Sequence, residues 1–251
     1  MQTFKLTLEY DGSRFSGWQE QINARTVQGE LKQAVWELFH AEVEVQGAGR
    51  TDAGVHAVGQ VAHMKLRGKP SQLNVAQILR ELNDKLPASI AVLDVAEARP
   101  GFHARHDALS RTYFYQISTR KSALAKRYVW WVKEPLDLSE MQKAARLLVG
   151  RHDFTAFRAA DPSKPGESTV VVVEAAEVVQ DENLLIFRIE ASHFLWKMLR
   201  RLAGTLVRLG KGEISVEDFR GLLHGVPNPR FDIAAWTAPA SGLFLEGITY
   251  Q

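Results

Sequence analysis

The stretch Thr3-Phe4-Lys5-Leu6-Thr7-Leu8-Glu9-Tyr10 alternates residue by residue, with Phe4, Leu6 and Leu8 on one face and Lys5, Thr7 and Glu9 on the other. A period of two is the signature of a half-buried strand, so the fold begins with a β-strand. Asp11-Gly12-Ser13 closes it as a turn. Working outward, Thr26 reads as the N-cap of a helix carrying Val27, Leu31, Ala34, Val35 and Leu38 at helical spacing. Val43–Gln46 and Gln60–Leu66 read as two further strands, separated by the glycine-punctuated stretch Gly47 to Gly59. A helix over Leu73–Leu82, capped by Ser71, and a strand over Ile90–Ala96 complete the order β-α-β-β-α-β.

The second half repeats that order without clear sequence identity to the first. Thr112–Ser118 reads as a strand and Leu138–Leu148 as a helix ended by Gly150. Thr169–Val179 and Leu184–Ala191 are strands joined by Asp181-Glu182-Asn183. His193–Leu209 is a long helix, Val216–Leu223 a short one, and Leu243–Tyr250 the closing strand. The pattern predicts an α+β fold of two ferredoxin-like lobes with mixed or antiparallel sheets. An N-terminal lobe over 1–104 and a C-terminal lobe over 105–251 are expected. The long irregular segments 119–137, 151–168 and 224–242 are candidate substrate loops.

At 251 residues, 45% hydrophobic and 24% charged, the chain has the composition of a globular protein with a full core, which excludes disorder and fibrous repeats. Cysteine is absent, excluding disulfides, a thiolate nucleophile, Cys-ligated zinc and iron–sulfur clusters. Met1-Gln2-Thr3-Phe4-Lys5 does not open a signal peptide, and no apolar run approaches the roughly 18 residues of a membrane span. A cytoplasmic protein with no membrane contact is expected. The net charge of +2 argues at face value against a nucleic-acid partner. That average conceals a polarised chain: segments 99–128 and 193–212 carry +6 and +5, leaving −9 on the remainder. Two cationic stretches of this kind suit the phosphates of a nucleic acid.

Nucleotide-binding signatures fail on inspection. Gly47-Ala48-Gly49-Arg50-Thr51-Asp52 puts Asp where G-x-G-x-x-G needs its third glycine, and Gly204 to Gly210-Lys211 is one residue too long for a P-loop. The histidines form no H-E-x-x-H; His103 and His106 read as surface or packing residues, and no metal is expected. The informative stretch is Gly49-Arg50-Thr51-Asp52-Ala53-Gly54-Val55-His56. A plain hairpin loop, with Asp52 capping a turn, would account for its glycines. It would not require Arg50, Asp52 and His56 together. A carboxylate on tight backbone beside a guanidinium is a candidate preorganised nucleophile.

In Arg111-Thr112-Tyr113-Phe114-Tyr115, alternation sets Arg111, Tyr113 and Tyr115 on one face and Thr112 and Phe114 on the other. The tyrosine face is either a second layer of core or, with Phe114 inward, a stacking platform for a base beside a phosphate-binding cation. On His193–Leu209, Phe194, Leu195, Met198, Leu202, Leu206 and Leu209 form a core stripe. Lys197, Arg200, Arg201 and Arg208 lie largely off it. A solvated face normally mixes signs, and 193–212 holds no acid.

Taken together, G-R-T-D-A-G-V-H at 49–56, with Gly59-Gln60-Val61 and His63, closely resembles the signature of the tRNA pseudouridine synthase A family. The resemblance runs through Glu9-Tyr10-Asp11-Gly12-Ser13, Gly17-Trp18-Gln19, Thr26-Val27-Gln28, Phe102-His103-Ala104-Arg105 and Arg111-x-Tyr113-x-Tyr115. It continues through His152-Asp153-Phe154-Thr155-x-Phe157-Arg158, Phe194-Leu195-x-Lys197-Met198-x-Arg200 and Gly242-Leu243-Phe244-Leu245. It implies the pseudouridine-synthase fold, with a catalytic cleft flanked by two α+β lobes. It also implies an isomerase that converts uridines 38 to 40 of the tRNA anticodon stem-loop to pseudouridine, works without a cofactor and forms a homodimer. By the same resemblance Asp52 is the nucleophile, Tyr113 the base-stacking tyrosine and Arg200 the basic partner of the aspartate. Arg50, His56, Arg105, Arg111 and Arg158 are expected to bind substrate beside Tyr113. An arginine expected between loop 159–168 and Thr169–Val173 is lacking.

The implied reaction breaks the N1–C1′ bond, turns the uracil and rejoins it through C5, so no redox group or metal is needed. The carboxylate attacks either C1′, as in a retaining glycosidase, or C6. A salt bridge from Arg200 favours its ionised form, and the Tyr113 hydroxyl is a candidate carrier of the C5 proton. The target must be flipped out of its stem or loop, with Arg50 placed to support that state. Two rivals remain: a non-catalytic tRNA-binding protein, and a metal-dependent phosphoesterase using Asp52, His56 and His63.

Overall fold

The N-terminal alternation folds as read. In the computed structural model, which describes residues 2–67, 72–160, 166, 168–224 and 228–251, β1 (Gln2–Tyr10) buries Phe4, Leu6 and Leu8 and leaves Glu9 exposed. Contacts divide the chain into one unit of Met1–Leu109 with Phe244–Gln251 and another of Ser110–Leu243. Among the described residues there are five α-helices and ten strands, an α+β architecture whose strand pairings are mostly antiparallel.

In the first unit β1 lies between β3 (His56–Leu66) and β4 (Ile90–Glu97), antiparallel to both. β2 (Val43–Gly47) joins the other edge of β3, also antiparallel. Helix α1 (Val27–Phe39) starts where Thr26 Oγ1 accepts from the Gly29 amide, as the sequence predicts. Helix α2 covers Val75–Lys85, later than the expected Leu73–Leu82. Its cap is Asn74, which forms a capping box with Gln77; Ser71, the expected cap, lies outside the described residues.

Strand β3 starts four residues before the expected Gln60 and is buried over most of its length. Its second face carries Val61, packed with Ala48, Phe102 and Ala104 and roofed by Ile248 and Tyr250. The start was obscured by Gly59, which looks like loop punctuation. Gly59 instead permits a backbone approach: a Cβ there would sit 2.2 Å from the Glu246 carbonyl oxygen. That carbonyl belongs to β10 (Leu243–Thr249), which pairs parallel with β3 at Phe244↔His56 and Leu245↔Ala57.

In the second unit β5 (Ser110–Ser118), β9 (Leu184–Ala191), β8 (Val170–Asp181) and β7 (Gly150–Asp153) form an antiparallel succession. The short β6 (Trp130–Trp131) runs parallel to β5. Gly150 opens β7 rather than merely ending α3 (Leu138–Leu147). Helix α4 spans Met198–Gly210, not His193–Leu209, because Lys197 takes a left-handed conformation (φ 60°) that interrupts helical hydrogen bonding. It is buried around most of its girth, Leu199, Ala203, Gly204, Thr205 and Val207 included. Arg200, Arg201 and Arg208 are only partly exposed, so a simple solvated face does not describe them. Helix α5 (Val216–Leu222) is closed at its start by Ser215 and Asp218. No helix of the described residues is long and apolar enough to cross a membrane.

Candidate active site

The loop between β2 and β3 is held from behind by the segment that leaves β1. The Thr51 carbonyl accepts from the Trp18 amide at 3.0 Å, the Gly54 amide donates to the Phe15 carbonyl at 3.3 Å, and the Val55 amide closes a turn onto the Asp52 carbonyl at 3.1 Å. Two glycines make the approach sterically possible. A Cβ on Gly12 would lie 1.9 Å from the Val55 carbonyl oxygen, and one on Gly17, at φ 96°, would lie 2.6 Å from that of Thr51. Asp52 is half-buried on this clamped backbone, Arg50 is exposed two residues before it, and Thr51 is buried between them.

His56, the last residue of the motif, starts β3 and is 1% exposed. Its Nδ1 accepts from the Gly12 amide at 3.1 Å, with Asp11 Oδ1 3.3 Å from the same nitrogen. The ring stacks on Phe244 at a centroid distance of 4.6 Å. These contacts tie the end of the loop to the turn after β1. Arg105 is exposed on a separate turn, where its amide donates to His103 Nδ1.

His63, invoked by the phosphoesterase alternative, is fully buried with both ring nitrogens engaged. Nδ1 accepts from the Ala104 amide at 3.0 Å and Nε2 faces Glu44 Oε1 at 2.9 Å. Burial lowers the His63 pKa despite the partly compensating Glu44, whose own pKa is lowered chiefly by that hydrogen bond. The imidazole is therefore a neutral tie between strands. His103 packs against His63 and His106 at centroid distances of 4.7 and 4.1 Å, the packing role read for it. Among the described residues no group of three or more His, Asp or Glu side chains is arranged to hold a metal.

In the second unit the tyrosine face of β5 turns inward, and Phe114 is the half-buried one. Tyr115 is core: its hydroxyl donates to the Pro239 carbonyl at 2.7 Å, and burial drives its pKa up against the opposing effect of Arg200. Tyr113, 7% exposed, meets Phe194 edge-to-face at 5.0 Å. Arg111 donates to the Ser192 carbonyl at 2.9 Å. Arg200, in the first turn of α4, is fixed twice by one segment: Nε donates to the Ala238 carbonyl at 2.7 Å, and the Arg200 carbonyl accepts from the Ala238 amide at 3.0 Å. Arg201 binds the Arg158 carbonyl, linking α4 to the last of the arginines read from sequence.

The structure thus gathers Arg50, Asp52 and His56 on one loop of the first unit. It sets Arg111 and Tyr113 on β5 and Arg200 on α4 of the second. Sequence reasoning assigned no role to Tyr10, Thr51 or Gln60, which brace the loop. Their only signal was their place in motifs around the aspartate.

The loop thus presents a half-buried aspartate on backbone hydrogen-bonded on both sides of it, with an arginine exposed two residues before. The chain belongs to the tRNA pseudouridine synthase family, whose model matches residues 7–107 and 144–251, and it is accordingly an isomerase. Those ranges contain Arg50, Asp52, His56, Arg105, Arg158 and Arg200, while Arg111 and Tyr113 fall in the interval between them. Similarity to individual relatives spans the whole chain. It is 37% identical to the tRNA pseudouridine synthase A of Bartonella tribocorum, covering all of both chains. It is 39% identical to that of Agrobacterium fabrum, covering all of this chain and 93% of the relative. The corresponding protein of Rhodospirillum rubrum is 38% identical, with 100% and 88% covered.

Proposed function

We propose that the chain isomerises uridine to pseudouridine at positions 38, 39 and 40 of the tRNA anticodon stem-loop, with the Asp52 carboxylate as nucleophile. The observation that carries this reading is the Asp52 loop itself, whose backbone is bound on both sides of the carboxylate while the side chain stays half-buried. A nucleophile held this way loses little freedom on reaching the transition state. Its attack at C1′ displaces N1 of the uracil, or its addition at C6 is followed by cleavage of the N1–C1′ bond. The base then turns, C5 bonds to C1′ as the bond to the aspartate breaks, and the ring loses the C5 proton while N1 gains one. Tyr113 stacks on the uracil, Arg200 supports the ionised aspartate, and Arg50 supports the flipped nucleotide. His56, Arg105, Arg111 and Arg158 serve substrate binding, His56 by holding the loop. The working form is a cytoplasmic homodimer, with an N-terminal lobe over 1–104 and a C-terminal lobe over 105–251.

The decisive experiment compares wild type with Asp52→Asn, which preserves shape and removes the charge. Tritium release from C5-labelled uridine in tRNA is expected to vanish while tRNA affinity persists. Measurable release by Asp52→Asn refutes the nucleophile assignment. Mapping pseudouridine in tRNA treated with wild-type protein tests the three positions in the same preparation.

A further inference from the structure

Tyr10 ends β1 and is 4% exposed. Its hydroxyl oxygen lies 2.8 Å from Thr51 Oγ1 and 3.5 Å from Gln60 Nε2. The same Gln60 amide donates to the Gly49 carbonyl at 3.0 Å. An amide N–H only donates, so the Tyr10 oxygen accepts from Gln60, while in the Tyr10–Thr51 pair either hydroxyl can donate to the other. Thr51, 6% exposed, is meanwhile held on its main chain by the Trp18 amide. A threonine fixed through both side chain and carbonyl sets where the next residue, Asp52, begins. Burial pushes the Tyr10 phenol up to about 12, so it stays protonated at neutral pH. Gln60, on β3, completes the brace by holding Gly49 at the loop's entry.

We propose that Tyr10 is a positioning residue for pseudouridine formation: its hydroxyl, acting through Thr51, holds the Asp52 carboxylate at the bond it attacks. The inference rests on the reading of Asp52 as nucleophile. It gives the Tyr10 phenol a function apart from core packing, for which the ring alone would suffice.

Tyr10→Phe keeps the ring and removes one oxygen. Single-turnover rates at saturating tRNA, tRNA affinity and thermal melting are measured together. The expected result is a rate reduced about 10- to 100-fold, the scale at which small misplacements of reacting groups act, with tRNA affinity unchanged. Thr51→Val should reproduce the loss and Thr51→Ser, which keeps the hydroxyl, should retain the rate. The double variant Tyr10→Phe/Thr51→Val should be no slower than either single one, because both cut the same link. A Tyr10→Phe enzyme that reacts at the wild-type rate overturns the proposal, as do losses that multiply in the double variant. If Tyr10→Phe does not fold, Thr51→Val against Thr51→Ser decides, and equal rates overturn it. Asp52→Asn is run alongside. Its residual turnover would refute the nucleophile reading, whereas an inactive Asp52→Asn beside an unimpaired Tyr10→Phe refutes the positioning role alone.

Discussion

Gly12→Ala adds one methyl group where the turn after β1 faces the Asp52 loop. The new Cβ would lie 1.9 Å from the Val55 carbonyl oxygen and 2.6 Å from its carbon, both backbone atoms that no rotamer change can remove. To reach even 3.0 Å the carbonyl must retreat by about 1.1 Å. Val55 is hydrogen-bonded through its amide to the Asp52 carbonyl, so the retreat is passed across a closed turn to the proposed nucleophile. Displacements of about 1 Å in a reacting group cost on the order of 10²-fold in rate. The overpacking itself costs about 1–3 kcal/mol, a fall in Tm of about 2–4 °C per kcal/mol for a chain of this size. The alanine retains its amide, so the bond to His56 Nδ1 is chemically available and the methyl group is the sole perturbation. Tritium release and thermal melting read the two effects separately. Gly221→Ala, on α5 with nothing beyond its own helix backbone and chain neighbours within 4 Å of the added Cβ, is the control, expected to leave the rate unchanged and to stabilise by up to about 1 kcal/mol. A Gly12→Ala protein with wild-type rate and melting would show that the loop yields freely, and the case for a clamped nucleophile would fail.

Tyr115→Phe removes the donor to the Pro239 carbonyl and should destabilise by about 1–3 kcal/mol, read as a lower Tm; an unchanged Tm would show that the carbonyl finds another donor. Stability should also fall on the acid side. His63 has a folded pKa below its free value of 6.5, so its neutral tie is fully present above pH 6.5 and weakens as the pH drops, because the unfolded chain binds the proton more readily. Glu44, lowered from 4.5, adds a second loss as the pH falls below that value. His63→Gln should therefore show a flatter Tm profile between pH 7.5 and about pH 5, and an identical slope in the variant would locate the acid sensitivity elsewhere.

How much of this was legible in the sequence depends on whether a residue's environment repeats with a simple period. β1 was readable because one face is buried and the other is not, and α1 because a threonine cap precedes a helical stripe. The body of β3 was read over Gln60–Leu66, but its start at His56 was not, because Gly59 looks like a loop signal until Glu246, 187 residues away, is seen against it. The start of α4 failed for a local reason: Phe194 and Leu195 continue the apolar spacing, but a left-handed Lys197 breaks the backbone between them and Met198. The tyrosines of β5 were set on one face correctly, yet alternation cannot say which face is inward; the Pro239 carbonyl decides that for Tyr115.

The site divides along the same line. Asp52 stood out because a carboxylate between glycines and an arginine is chemically odd for a turn. Tyr10 did not, because its side chain falls on the buried face of a strand, where a tyrosine looks like packing. Its hydroxyl gains meaning only from Thr51, 41 positions away. The residue proposed to meet substrate advertises itself by chemistry out of place, while the one proposed to aim it is hidden among the core. A sequence motif that extends past the reacting group into a strand, as Glu9-Tyr10-Asp11-Gly12 does here, is therefore a reason to ask what each buried polar atom within it is holding.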